Sequence, residues 1–574
     1  MQHLSERNTM ARYILLAGLA LFACAGAACA VELELFVTDY NENPSPEQKP
    51  MAARAVNYPN AEEVTVKAAG KAHTYQSPSA VAISPSVAGK NLREARIFAS
   101  PGEYEPFSFL VRPRESIEQV MISGSELKGP GGSIPAANVA VASVEEFFPG
   151  GRQILVPVGK AWNMSAYAVE YMWCTVKVPE DAKPGSYRGE VAVTSKGQKI
   201  AAITIALDVL PIKLEDPPFA LGYNYSHPKD RKAMEAHLAD MRAHGMTTVA
   251  ALYDFHLPVY DNNTSELGEF IEAYKKAGYP APFYFATPMD LELSELAGFG
   301  SVDSRRFQQK YIKVMRALHE EVKRHGVPTV MSIGDELTNR GMEGVKIAGK
   351  LAKLAWEELP EIATTSDMNG YMEVMAMAPY LNIATFNNGW DGADHHNQGR
   401  HLLNRKFVEE VQSKTGAIPW FVNAGTGRFP YGLFFWKMSK YGVRGKVEWY
   451  YNLGKNERGS VVRLEGAKVY PTLDYERSRE GIDDLKYLCA LEKLIDQAKK
   501  SGQAAEQVRK AEATLKGIFD AIADDWTVYD TGTRFSIDGF GVVDPEKAAA
   551  LGQLDSTRQA VAQRIIELQA AMAK

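Results

Sequence analysis

Cysteine is scarce, with 4 in 574 residues. Cys24 and Cys29 fall in an N-terminal segment read below as a leader. Cys174 and Cys489 lie far apart on differently patterned segments, so they read as two buried thiols rather than a disulfide, and no cysteine pair has zinc-site spacing. An excess of positive charge is missing too. Lys and Arg number 64 against 70 Asp and Glu, a formal net charge of −6, which removes the electrostatic footprint of a nucleic-acid binder. Beyond the N-terminal segment no stretch offers the roughly 20 apolar residues a membrane helix needs. The sequence has no convincing G-x-S-x-G elbow, no phosphate-binding loop and no H-E-x-x-H pair. His395, His396 and His401 are close in sequence, but the 396–401 spacing does not stack ligands on one helical face. No metal or other cofactor is expected.

What is present is an ordinary globular balance, 45% hydrophobic and 23% charged, in a chain long enough for two or three domains. Arg12 precedes an apolar run over 13–23, and small residues then lead to Ala28-Cys29-Ala30. A basic flank, a short apolar stretch and an A-x-A end predict a secretory signal peptide over 1–30, hence a periplasmic or extracellular protein. Leu21-Phe22-Ala23-Cys24 partly matches a lipid-attachment box, which adds a lipid anchor as a variant of that expectation.

Over 31–215 the pattern is β. Residues 104–112 (YEPFSFLVR), 171–178 (YMWCTVKV), 187–194 (YRGEVAVT) and 200–210 (IAAITIALDVL) are rich in β-branched and aromatic residues, with Gly/Pro breaks near them. They predict an antiparallel β-sandwich, ended by the prolines of 211–218. Over 216–500 short apolar runs alternate with amphipathic stretches. Strands are expected at 219–225, 247–253, 281–287, 329–335, 362–367, 381–386, 418–424 and 443–450. Among the helices expected between and after them are 229–244, 265–277, 305–325, 342–358, 399–414, 431–441 and, as the eighth, 479–499. Several end at a glycine (Gly245, Gly278, Gly326, Gly416, Gly442), the usual residue past a helix end. Eight such alternations predict a (β/α)8 TIM barrel. The remainder, 501–574, reads as a helical extension with helices at 504–522 and 545–573.

A barrel of this kind carries its active site at the carboxyl ends of the strands. The polar and aromatic residues there are Tyr223 and Asn224, Asp254, Asp367, Asn387 and Trp390, Asn423, and Glu448, Trp449 and Tyr451. Carboxylates and amides pair with sugar hydroxyls, and aromatic faces stack on sugar rings. Any one of these Asp or Asn residues could instead cap a helix; their number around one rim points to a carbohydrate site. We take Tyr223, Asn224, Asp254, Asp367, Asn387, Trp390, Asn423, Trp449 and Tyr451 as substrate-binding candidates. The sharpest feature is Asp335-Glu336, two adjacent acids after Val-Met-Ser-Ile-Gly. Neighbours on a regular strand point to opposite faces, but where a strand ends both can turn to one ligand. Glu336 would donate a proton to the leaving oxygen and Asp335 would stay ionised and hold another substrate group. Alternatively, the pair is an acidic first turn favoured by a helix dipole.

Three stretches are similar to glycoside hydrolase family 123: 178–191 (VPEDAKPGSYRGEV), 333–336 (IGDE) and 478–488 (SREGIDDLKYL). The order of parts, sandwich then barrel, resembles that family as well. Leu337 stands where the family commonly has proline. The resemblance implies an exo-acting β-N-acetylgalactosaminidase that works by substrate assistance with retention of configuration. It casts Asp335 as the residue that orients the 2-acetamido group and Glu336 as acid and then base, with a glycan or glycoside bearing a β-linked amino sugar as partner. Two alternatives stand beside it. One is a two-carboxylate retaining β-glycosidase with Glu336 as acid/base and Glu448 as nucleophile, which requires the carboxyl groups about 5–5.5 Å apart. The other is a non-catalytic glycan-binding protein.

Overall fold

The computed structural model describes residues 33–41, 63–68, 71–76, 93–147, 152–252, 255–287, 296–388, 400–454, 456, 459–529 and 553–573. The leader read over 1–30 lies outside these residues, as do Asp254, Trp390, His395, His396 and the start of the predicted 545–573 helix. The chain divides into two compact units, 1–144 with 156–209, and 145–155 with 210–574. The short segment 145–155 therefore belongs with the second unit, where Arg152 pairs with Asp474 at 3.1 Å.

The first unit is a sandwich. One sheet runs Leu33–Thr38, Tyr104–Pro113, Ala168–Lys177, Glu63–Ala68, Lys71–Gln76. The other runs Trp162–Met164, Ile117–Gly124, Gly185–Ser195, Gln198–Val209, Glu94–Ala99. Pairing is mostly antiparallel, but Ala168–Lys177 with Glu63–Ala68 and Gln198–Val209 with Glu94–Ala99 are parallel. Lys196 and Gly197 both have positive φ, 51° and 78°, the two-residue turn whose twist suits a tight hairpin. Period-2 burial follows: Ala201, Ile203, Ile205, Leu207 and Val209 turn inward and join Val191, Val193, Phe109 and Val111 in one apolar core. Cys174 lies in that core, and neither it nor Cys489 is bridged.

The second unit contains a closed parallel barrel of β1 (Ala220–Tyr225), β2 (Ala250–Ala251), β3 (Phe283–Phe285), β4 (Thr329–Asp335), β5 (Ala363–Met368), β6 (Ile383–Phe386), β7 (Ile418–Val422) and β8 (Gly445–Asn452). Ala220, Ala250, Tyr284, Val330, Ile383, Trp420 and Val447 fill its interior. Gly445 makes room for the largest of them, since a Cβ there would lie 2.3 Å from the Trp420 ring. The surrounding helices carry their start and stop chemistry in the sequence. Asp230, Ser304, Asn404 and Thr472 accept a backbone N–H at helix starts, and Gly278, Gly326, Gly416 and Gly502 take left-handed backbone at helix ends. Between β5 and β6 stands a seven-residue helix, Tyr371–Met377, too short to show periodicity in the sequence.

The last barrel helix, Leu473–Ser501, explains the SREGIDDLKYL stretch as architecture. The Ser478 hydroxyl is 3.0 Å from that of Tyr223 and accepts the Gly427 N–H at 2.9 Å. Gly481 lies flush on Arg428, whose carbonyl oxygen would be 2.2 Å from a Cβ. Asp484 takes the guanidinium groups of Arg428 and Arg558, and Glu480 takes Arg558 at 2.9 Å. Arg558 comes from the terminal helix Leu554–Met572, so buried charge ties that helix to the barrel wall.

Candidate active site

The site begins with a break in β4. Ser332 pairs with Thr365 and Asp335 with Asp367, so three steps along β4 meet two along β5. That extra residue is a β-bulge, which resets the alternation of side chains. It is held by two hydroxyls: Ser332 donates to the Gly334 carbonyl at 3.1 Å and Ser366 donates to the same oxygen at 2.7 Å. Next comes Glu336 with φ 45° and ψ 45°, a left-handed backbone on a non-glycine residue. Its N–H donates to the Asp367 carbonyl at 2.8 Å, and its own carbonyl accepts the Asn339 N–H at 2.9 Å.

The Glu336 carboxylate is half-buried and accepts hydrogen bonds from Asn387 Nδ2 at 3.1 Å and Asn339 Nδ2 at 3.2 Å. Beside it, the Tyr284 hydroxyl donates to Asp367 Oδ1 at 2.7 Å. The charges of Asp367 and Asp335 both act on that hydroxyl. Asp367 is buried, and burial pushes its carboxyl up to about 7; the Tyr284 bond opposes this and the Glu336 charge adds to it. Below, the hydroxyls of Thr365 and Thr385 meet at 2.8 Å and close the interior. Strands 3, 4, 5 and 6 thus deliver one connected group of Tyr284, Asp335, Glu336, Asp367 and Asn387.

Three more candidates stand on the same rim. Asn224 is buried, and its Oδ1 has no hydrogen-bond partner among the described residues. Asn423, at φ 54°, accepts the Trp449 N–H at 3.0 Å and so sets the end of β8 against β7. Trp449 packs partly buried on the interior cluster.

Two candidates lie elsewhere. Tyr223 and Tyr451 are fully buried between the barrel wall and its helices. Tyr223 stacks on Tyr431 with centroids 5.7 Å apart and bonds Ser478, while Tyr451 donates to Asp240 at 2.9 Å on the helix Arg231–Ala243. Tyr223 faces outward because Gly222 and Asn224 take the inward positions of β1. Tyr451 leaves the inward set of Val447 and Trp449 because the register shifts there, with Tyr223 paired to Glu448 but Tyr225 to Asn452. Glu448 is also turned out. Val447 and Trp449 on either side of it pack on the interior, whereas Glu448 pairs with buried Lys446 and accepts the Ala424 N–H at 2.7 Å. A nucleophile facing Glu336 across the cleft is therefore not supplied by Glu448.

Glu373, on the Tyr371–Met377 helix, was not among the sequence candidates. It is fully buried, accepting the Leu337 N–H at 2.7 Å on Oε1 and the Asn369 N–H at 3.1 Å on Oε2. A proline at 337 would have no N–H for this bond. Thr338 adds its hydroxyl at 3.3 Å and also bonds Asn369 Oδ1. Burial pushes Glu373 up to about 7, against the pull of these donors.

The fold and site define a sandwich-plus-barrel protein with a carboxylate-rich mouth at the carboxyl ends of its strands. Its fold is similar to a family 123 glycoside hydrolase from Clostridium perfringens, described for glycolipid glycan hydrolysis, at TM-score 0.59 and 13% identity over 84% of this chain and 96% of that one. Weaker likenesses are a family 39 glycoside hydrolase from Bacteroides cellulosilyticus WH2, at TM-score 0.36 and 11% identity over 62% of this chain and 80% of that one, and a Bacteroides ovatus GH5 xyloglucanase, at 0.30 and 9% over 68% and 98%. No family model matches the sequence, and no curated protein matches it.

Proposed function

We propose that this chain is a glycoside hydrolase, specifically an exo-acting β-N-acetylgalactosaminidase that uses the substrate's own acetamide. One observation carries the reading. The bulge in β4 sets two consecutive carboxylates, Asp335 and Glu336, at the mouth of a barrel, with Asn387, Asp367 and Tyr284 around them. In the proposed reaction the Glu336 carboxyl protonates the leaving oxygen as the glycosidic bond breaks. The acetamide oxygen forms the new bond to the anomeric carbon, and Asp335 holds the acetamide N–H. Glu336, now ionised, then takes a proton from water as that water opens the cyclic intermediate with net retention.

The outward orientation of Glu448 supports this reading over a two-carboxylate mechanism that needs it as nucleophile. The unpartnered Asn224 oxygen and the partly exposed Trp449 face support a sugar as the occupant. The leader pattern supports export; among the described residues no helix is long and apolar enough to cross a membrane.

The test uses aryl β-glycosides with and without the 2-acetamido group. Glu336→Gln should abolish hydrolysis of a substrate with a poor leaving group while leaving ligand binding intact. Equal cleavage of a substrate lacking the acetamide would reject substrate assistance, and near-normal turnover by Glu336→Gln would reject the acid/base role.

A further inference from the structure

We infer that Glu373 is a positioning residue for Glu336, fixing the backbone from which the proton donor projects. The inference rests on the reading of Glu336 as acid/base. A left-handed backbone on a non-glycine residue is strained and persists only where its surroundings determine it. On one side of Glu336 the determinant is its own N–H, bonded to the Asp367 carbonyl. On the other side it is the Leu337 N–H, the amide whose direction is set by ψ of Glu336. That N–H ends on Glu373 Oε1 at 2.7 Å. The second carboxylate oxygen takes the Asn369 N–H and the Thr338 hydroxyl. One carboxylate therefore ties the loop after β4 to the loop after β5, and releasing it loosens the peptide that aims Glu336, leaving the Asn339 N–H on its carbonyl oxygen.

The chemistry of the pocket argues for a selected role. Among the described residues the hydrogen-bond partners of Glu373 are two peptide N–H groups and one hydroxyl, with no lysine or arginine. A buried carboxylate held only by dipoles is a poor choice for stability. It is a good choice for geometry, because once ionised, above about pH 7, a carboxylate only accepts, and so fixes two N–H donors at once. Glutamine at 373 keeps the shape but turns an NH2 towards one of those donors.

The experiment compares wild type, Glu373→Gln, Glu336→Gln and the double variant on phenyl and 2,4-dinitrophenyl N-acetyl-β-galactosaminides. The phenyl leaving group needs the proton; the dinitrophenyl group does not. For Glu373→Gln we expect kcat on the phenyl substrate to fall about 30-fold, within the range a general acid supplies. KM should stay within about 3-fold, with little loss on the dinitrophenyl substrate. The double variant should be no slower than Glu336→Gln alone, as for groups that act as a unit. Thr338→Val, which removes one donor without stranding a charge, should give a smaller loss of the same kind, and serves if Glu373→Gln does not fold.

Equal losses on both substrates, a rise in KM alone, or a further loss in the double variant would overturn the positioning role. A Glu336→Gln that retains wild-type turnover would instead overturn the acid/base reading. The clamp is then judged by amide hydrogen exchange, where an unchanged Leu337 amide in Glu373→Gln rejects it and faster exchange upholds it.

Discussion

The Asn387 side-chain amide donates to the Glu336 carboxylate at 3.1 Å, so the first residue past β6 holds the first residue past β4. The bond crosses the barrel mouth over Asp367, which sits on the strand between them.

Removing the donor should cost activity rather than folding. A hydrogen bond to a charged group contributes about 1.5–3 kcal/mol, so Asn387→Ala should lower kcat/KM about 10- to 100-fold. Asn387→Asp should do worse, because it sets a negative charge against Glu336. Steady-state kinetics on the phenyl glycoside would check both, and an Asn387→Ala as active as wild type would remove this bond from the mechanism.

Stability should fall as pH rises towards neutrality. Asp367 and Glu373 are pushed by burial from ordinary values of 3.8 and 4.5 up to about 7. Between those limits the folded chain keeps protons that the unfolded chain has released. Each group therefore lowers stability by up to about 1.4 kcal/mol per pH unit across that window, and by no more above it. Asp367→Asn removes one such group. Urea midpoints at pH 5, 6 and 7 should fall less steeply for Asp367→Asn than for wild type; parallel curves would contradict the buried, protonated Asp367.

Glu448→Ala tests the two-carboxylate alternative. A true nucleophile variant would lose turnover and recover it with azide, which replaces the missing carboxylate. Here the substitution strands buried Lys446, and breaking a buried pair costs about 3–5 kcal/mol. The expected outcome is a protein with a lower melting temperature and no azide-dependent glycosyl azide product.

Arg558→Leu should unfold the barrel unit more readily, because Glu480 and Asp484 would lose their shared cation while staying fully buried. The expected loss is again about 3–5 kcal/mol in chemical denaturation. A variant as stable as wild type would mean that the terminal helix is a loose appendage.

Much of this was legible in the chain. The strand 329–335 and the helices 265–277 and 305–325 stand where their patterns placed them, since apolar periodicity and capping residues agree there. The candidate Asp335-Glu336 pair could be picked out because two acids end an apolar run. What sequence could not give was direction. The bulge before Asp335 has no composition signal, the outward turn of Tyr223 and Glu448 depends on which residue starts the alternation in each strand, and that of Tyr451 follows a register shift between β1 and β8 that no residue announces. Tyr451 looked like a rim aromatic but spends its hydroxyl on Asp240, more than two hundred positions earlier. Glu373 went unread for a different reason, as a seven-residue helix offers fewer than two full turns of pattern.

The left-handed backbone at Glu336 sets stability and chemistry against each other at a single codon. Glycine suits that backbone better than any side chain can, so Glu336→Gly should give a chain that folds at least as well and melts no lower, yet has no acid to offer. On the proposed acid/base role, a variant that melts no lower and hydrolyses nothing would separate the fit of the backbone from the use of the side chain.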